Sequence, residues 1–125
     1  MSFLLLSVDH IIAIHGEVLE PNELQGMAGD KSLEGALSRV ENRLNYGLME
    51  DIYSLAASYA VAVSQAHCFN DGNKRTAFQV MDIILDLNGI NVTWDVEVVG
   101  QKIVLLSQSK LDEADLAQWL RRVIV

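Results

Sequence analysis

Ile52-Tyr53-Ser54-Leu55-Ala56-Ala57-Ser58-Tyr59-Ala60-Val61-Ala62-Val63-Ser64-Gln65-Ala66 is the stretch on which the fold turns. Its apolar and small residues fall on every side of a helix, and a helix that is apolar all round is buried by its neighbours. The stretch therefore predicts a central helix, which delivers His67 at its C-terminal end. Beyond His67, Gly72 to Arg75 form the first turn of a second apolar-rich helix running from about Asn73 to Leu87, where Asn88-Gly89 supplies a left-handed stop. Ile90, Val92 and Trp94 alternate and predict a short extended segment. Two more helices are expected near Val96 to Ser107 and Asp112 to Ile124.

On the N-terminal side, Leu33, Ala36, Leu37, Val40 and Leu44 fall on one stripe of a surface helix running to about Tyr46. Earlier still, Ser7 can cap a helix through about Glu20 whose apolar face carries Val8, Ile11, Ile12, Ile14 and Leu19. Pro21 and Asn22 end it. The run Pro21 to Ser32, with its Pro, Asn, two Gly and an Asp, is a loop able to order over an active site. The expectation is an all-α compact bundle of about six helices with a short flap loop, one domain over residues 1–125, without internal repeats or low-complexity tracts.

Composition narrows the function. Half of the 125 residues are hydrophobic, enough for a real core, and the formal net charge is −8. Binding nucleic acid non-specifically needs cations that displace counterions from the phosphate backbone, so direct DNA or RNA binding is not expected. The first Lys or Arg is Lys31, so Phe3-Leu4-Leu5-Leu6 lacks the basic flank and the length of a signal peptide. No run of about 20 apolar residues is present to span a bilayer. A single cysteine, Cys68, makes no internal disulfide and suits a reducing cytoplasm.

The chemistry concentrates in His67-Cys68-Phe69-Asn70-Asp71-Gly72-Asn73-Lys74-Arg75-Thr76-Ala77-Phe78. The first turn of the helix beginning here has unpaired N–H groups and the positive end of the helix dipole, an anion site to which Lys74 and Arg75 add formal charge. His67 can accept and release a proton near neutrality, although a lone histidine at a helix end can also merely cap carbonyls. Asp71 can hold Mg²⁺ together with substrate phosphates, or cap the following helix. Gly72 lets the backbone approach a phosphate, Asn73 can orient the loop, and Arg75 offers a fork for phosphate oxygens or an ion pair with a carboxylate. Phe69 anchors the loop in the core. Cys68, at the negative end of a helix, is read as packing and not as a nucleophile. His10 and His15, five apart, lack the i, i+4 spacing of a zinc pair and receive no site role.

His67-x-Phe69-x-Asp71-Gly72-Asn73-Lys74-Arg75 resembles the Fic/Doc (Fido) signature H-x-F-x-(D/E)-G-N-x-R, and its Asn-Lys-Arg form is similar to the death-on-curing (Doc) branch. Weaker similarity extends through Ser7 to His15, Gly26-Met27, Leu33 to Leu37 and Arg39. The resemblance implies His67 as catalytic base, with Lys74 and Arg75 also catalytic. It further implies Gly72, Asn73, Lys74 and Arg75 around nucleotide phosphates, Asp71 on Mg²⁺, and a flap that docks the target chain.

Two departures from the adenylyltransferase form of the signature bear on the reaction. Lys74 stands where that branch has Gly, in space needed by a diphosphate, and Phe78 stands where it has a second Arg. Both resemble Doc, in which ATP gives up its γ-phosphoryl group to a threonine of elongation factor Tu. Adenylyl transfer and a silent helical interaction module remain as alternatives. The inhibitory S/T-x-x-x-E-G/N element that many Fic proteins carry is absent, the nearest match being Thr93 and Glu97 followed by Val98. The resemblance therefore implies inhibition in trans by a Phd-like antitoxin whose C-terminal segment folds into an apolar groove.

Overall fold

The computed structural model describes residues 3–26, 32–66 and 69–124. Among them are six helices and no strand: α1 Val8–Val18, α2 Leu33–Asn45, α3 Ile52–Ala66, α4 Asn73–Leu87, α5 Val96–Ser107 and α6 Glu113–Val123. The all-α bundle expected from the sequence is the architecture observed. His67, Cys68 and Met27 lie outside the described residues.

α3 occupies the centre and packs against α2, α4, α5 and α6. Leu55, Ala56, Ala57, Tyr59, Ala60 and Val63 are fully buried, and the small side chains among them let neighbouring helices approach closely. Tyr59 is the largest side chain buried in this way. Its hydroxyl donates to the Leu6 carbonyl at 3.1 Å, and burial pushes its phenol above the ordinary value. The same N-terminal segment is tied to the far end of α4, where Leu4 N–H donates to Asn88 Oδ1 at 2.8 Å and Asn88 Nδ2 donates back to the Leu4 carbonyl at 3.0 Å.

Local chemistry sets the helix ends. Ser7, Ser32, Asp95 and Asp112 each accept a backbone N–H at the start of α1, α2, α5 and α6, satisfying donors that the first turn leaves free. At Ser7 the pairing is reciprocal, because Nδ1 of His10 accepts the Ser7 N–H at 3.2 Å. α1 stops at Val18, short of the expected Glu20, because Leu19 is already extended and the residue before Pro21 is itself disfavoured in a helix. α4 closes in a Schellman motif, with Gly89 at φ +87°, its N–H on the Asp86 carbonyl and the Ile90 N–H on Leu85. The left-handed residue is Gly89 alone; Asn88 has φ −99°.

The segment after Gly89 departs from the expected pattern. Ile90, Val92 and Trp94 form no strand; they lie half-buried against the core between α4 and α5. Their alternation records packing against the bundle, with the Trp94 Nε1 donating to Asp82 at 2.9 Å. Two ion pairs tie α6 to the rest of the bundle. Arg43 of α2 forks onto Glu113 of α6, and Arg121 of α6 binds Asp51 just before α3. No described helix is long and apolar enough to cross a membrane.

Candidate active site

The N-terminus of α4 is built on a backbone that favours glycine. Gly72, the N-cap, has φ +79° and ψ 14°, a left-handed conformation that costs any residue with a Cβ. An added Cβ would also lie 3.3 Å from Leu19 Cδ2 and 3.6 Å from His15 Cδ2. Among the described residues no side chain caps the helix here, and the positive end of a helix attracts anions. Asn70, Asp71, Gly72, Asn73 and Lys74 line a polar cavity of about 240 Å³, closed on its other side by Ser64 of α3 and Ser107 of α5.

The loop ahead of α4 is held by amide, aromatic and imidazole contacts. Asn73 Oδ1 accepts the Phe69 N–H at 3.1 Å and its Nδ2 donates to the Phe69 carbonyl at 2.9 Å, so the expected orienting role is visible as a two-bond clamp. Phe69 is 3% exposed, as expected for a core anchor. Its ring stacks on His15, with centroids 3.8 Å apart and planes inclined by 8°. His15 Nε2 lies 2.7 Å from the Asp71 carbonyl oxygen. A carbonyl can only accept, so this contact places a proton on Nε2.

Asp71 and Arg75 are both engaged by the segment that follows α1. Asp71 is not the cap of α4, since Gly72 holds that position. Its Oδ2 instead accepts the Leu24 N–H at 2.9 Å. Arg75 donates from Nε to the Val18 carbonyl at 3.2 Å and from Nη2 to Glu23, so the carboxylate pairing left open by the sequence is the one adopted. The hydrogen bond from Arg75, helped by the Glu20 N–H, holds the Glu23 carboxyl below its usual range. Asn70 completes the clasp, its Nδ2 donating to the Gln25 carbonyl at 3.1 Å and its N–H to Gly26 at 3.2 Å. The described part of the expected flap thus lies directly against the motif.

Asp71, Gly72, Asn73 and Lys74 are brought to one cavity, while Arg75 turns toward α1 and the flap. Lys74, exposed, stands between that polar cavity and an apolar one of about 310 Å³ between α4 and α5. Phe78 lines the apolar cavity and meets Trp94 edge-on at 5.6 Å. Among the described residues no three His, Cys, Asp or Glu side chains gather as metal ligands. The carboxylate that lines the polar cavity is Asp71, an oxygen donor of the type hard cations take.

His15, Glu23 and Ser64, which carry no site role in the sequence, stand at this site. A signal for His15 was available, because it lies four residues after Ile11 on the apolar face of α1, where an unexplained polar residue invites a partner. Glu23 carried none, since loop pairing across 52 positions leaves no periodic trace.

The Fic/DOC family matches residues 5–85, and the chain belongs to it. Over 119 residues it is 30% identical to the "Protein kinase doc" of Escherichia phage P1, an alignment covering 94% of each chain.

Proposed function

We propose that this chain is a Doc-like protein kinase, the toxin of a toxin–antitoxin pair, acting in the cytoplasm. It transfers the γ-phosphoryl group of ATP to a Ser or Thr hydroxyl of a translation factor, with elongation factor Tu the leading target. The observation that carries the choice of reaction is the placement of Lys74 and Phe78. Lys74 stands at the polar cavity, and Phe78 faces apolar neighbours, so no cation is available at position 78 to neutralise a departing pyrophosphate. The name of the phage P1 relative supports the same reading.

Phosphoryl transfer depends mainly on positioning and charge neutralisation. In this reading His67 takes the proton of the attacking hydroxyl. The hydroxyl oxygen bonds to the γ-phosphorus, the bond to the β–γ bridging oxygen breaks, and ADP leaves. Asn73, Gly72 and Lys74 hold the phosphates at the start of α4, with Arg75 once released from Glu23. Asp71 is the residue that would hold Mg²⁺, which supplies further neutralisation of the phosphates when bound.

Intact-mass measurement of elongation factor Tu after incubation with the protein and Mg²⁺-ATP tests the proposal. An added phosphoryl group supports it. An added AMP overturns it in favour of adenylyl transfer, the second reading, which the Fic/DOC membership sustains. For inhibition in trans, the apolar surface of α5, where Val96, Val98, Val104 and Leu105 are exposed, offers the face that a Phd-like antitoxin helix would cover.

A further inference from the structure

We infer that Ser64 is a ligand-binding residue, its hydroxyl donating to a phosphoryl oxygen of the nucleotide in the polar cavity at the start of α4. The inference rests on the phosphotransferase reading and adds a residue outside the signature.

Ser64 is fully buried, and its Oγ has no hydrogen-bond partner among the described residues. A buried hydroxyl without a partner costs free energy that an alanine in the same helix would not. Two other helical serines bond to their own helix. Ser58, also on α3, donates to the Leu55 carbonyl at 2.7 Å, and Ser107 donates to Val104 at 2.7 Å. Ser64 makes no such bond, yet it lines the cavity that holds Asp71, Asn73 and Lys74.

The chemistry of that cavity selects the occupant. The uncapped N-terminus of α4 and the Lys74 ammonium favour an anion. Asp71 would repel a bare anion, so the set suits a phosphate that brings a divalent cation with it. A phosphoryl oxygen gives the Ser64 hydroxyl the acceptor it lacks, through a charge-assisted bond stronger than one to a neutral group.

Calorimetric titration with ATP and Mg²⁺, alongside thermal unfolding without nucleotide, tests this on wild type, Ser64→Ala, Ser64→Cys and Ser58→Ala, the last on α3 but outside the cavity. Ser64→Ala is expected to bind roughly tenfold or more weakly, the usual effect of losing a hydrogen bond to a charged group, while its Tm stays level or rises. Ser64→Cys, a weaker donor, should fall between, and Ser58→Ala should bind like wild type. Equal affinity of Ser64→Ala and wild type overturns the inference and leaves the kinase reading intact. A fall in affinity accompanied by a fall in Tm overturns it too, by making Ser64 structural. If wild type binds no Mg²⁺-ATP, the kinase reading fails first, and inorganic pyrophosphate as probe then decides for Ser64 alone. Weaker pyrophosphate binding by Ser64→Ala supports a phosphoryl contact; equal or absent binding ends the inference.

Discussion

Gly72 shows how one residue fixes the geometry of the site. At φ +79° it turns the chain so that α4 starts beside Leu19 and His15, with its first N–H groups open to the cavity. Gly72→Ala adds a left-handed strain and a Cβ 3.3 Å from Leu19 Cδ2. It should destabilise the fold by about 1 kcal/mol or more, measured as a lower denaturant midpoint with an unchanged slope. A variant as stable as wild type would mean that the start of α4 relaxes freely and is not a rigid cradle. At this scale much of the site was legible, because Phe69, Gly72 and Asn73 act on their immediate neighbours. What was not legible is the other side of each contact. The residue stacked on Phe69 comes from α1, and the acceptor for Arg75 comes from a loop, pairings that only the folded chain brings together.

At the scale of elements, α3 and α4 were readable because burial leaves its record in their own sequence, as apolar and small residues on every side of α3 and an apolar-rich run in α4. The segment over Ile90 to Trp94 misled for a related reason, since alternation can mark a chain laid on a bundle as well as a strand, and a strand needs a pairing partner. The clasp between the 20–26 segment and the motif has no such record, and it carries a testable consequence. In the structure Glu23 occupies the fork of Arg75 that the proposed function assigns to phosphate. Its carboxyl is held below the usual value, chiefly by the Arg75 hydrogen bond. A depressed folded value means that the pair stabilises the closed flap above the unfolded carboxyl value and lets go as pH falls through the folded one. Glu23→Gln should therefore bind Mg²⁺-ATP more tightly at neutral pH, by roughly two- to fivefold for an exposed pair. The advantage over wild type should shrink on acidification below the ordinary glutamate range. Comparing the two proteins at each pH cancels the titration of ATP itself. An unchanged affinity in Glu23→Gln at neutral pH would show that the pair does not compete with the nucleotide.

The whole molecule is a small acidic bundle, with net charge −8, organised around a neutral central helix that ends next to the motif. That arrangement puts the proposed chemistry at one end of α3 and leaves α5 with several exposed apolar side chains. An acidic protein of this kind lacks the cations for phosphate-backbone contacts, so operator binding in a toxin–antitoxin pair would fall to the partner. With no inhibitory glutamate element in its own sequence, the chain expressed alone should arrest growth. His67→Ala should relieve the arrest, because loss of a general base typically lowers the rate by a factor of roughly 10² to 10⁴, while circular dichroism should show the helical content retained. Co-expression of an antitoxin whose C-terminal segment becomes helical on the toxin should relieve it too, through a complex that survives purification. The two rescues act differently, one by removing chemistry and the other by covering a surface, so they separate in a transfer assay. Purified His67→Ala should show no phosphorylation of elongation factor Tu, whereas wild type freed from its partner should recover it. Wild-type protein that accumulates without slowing growth, and that modifies nothing once purified, would rule out both the toxin and the kinase.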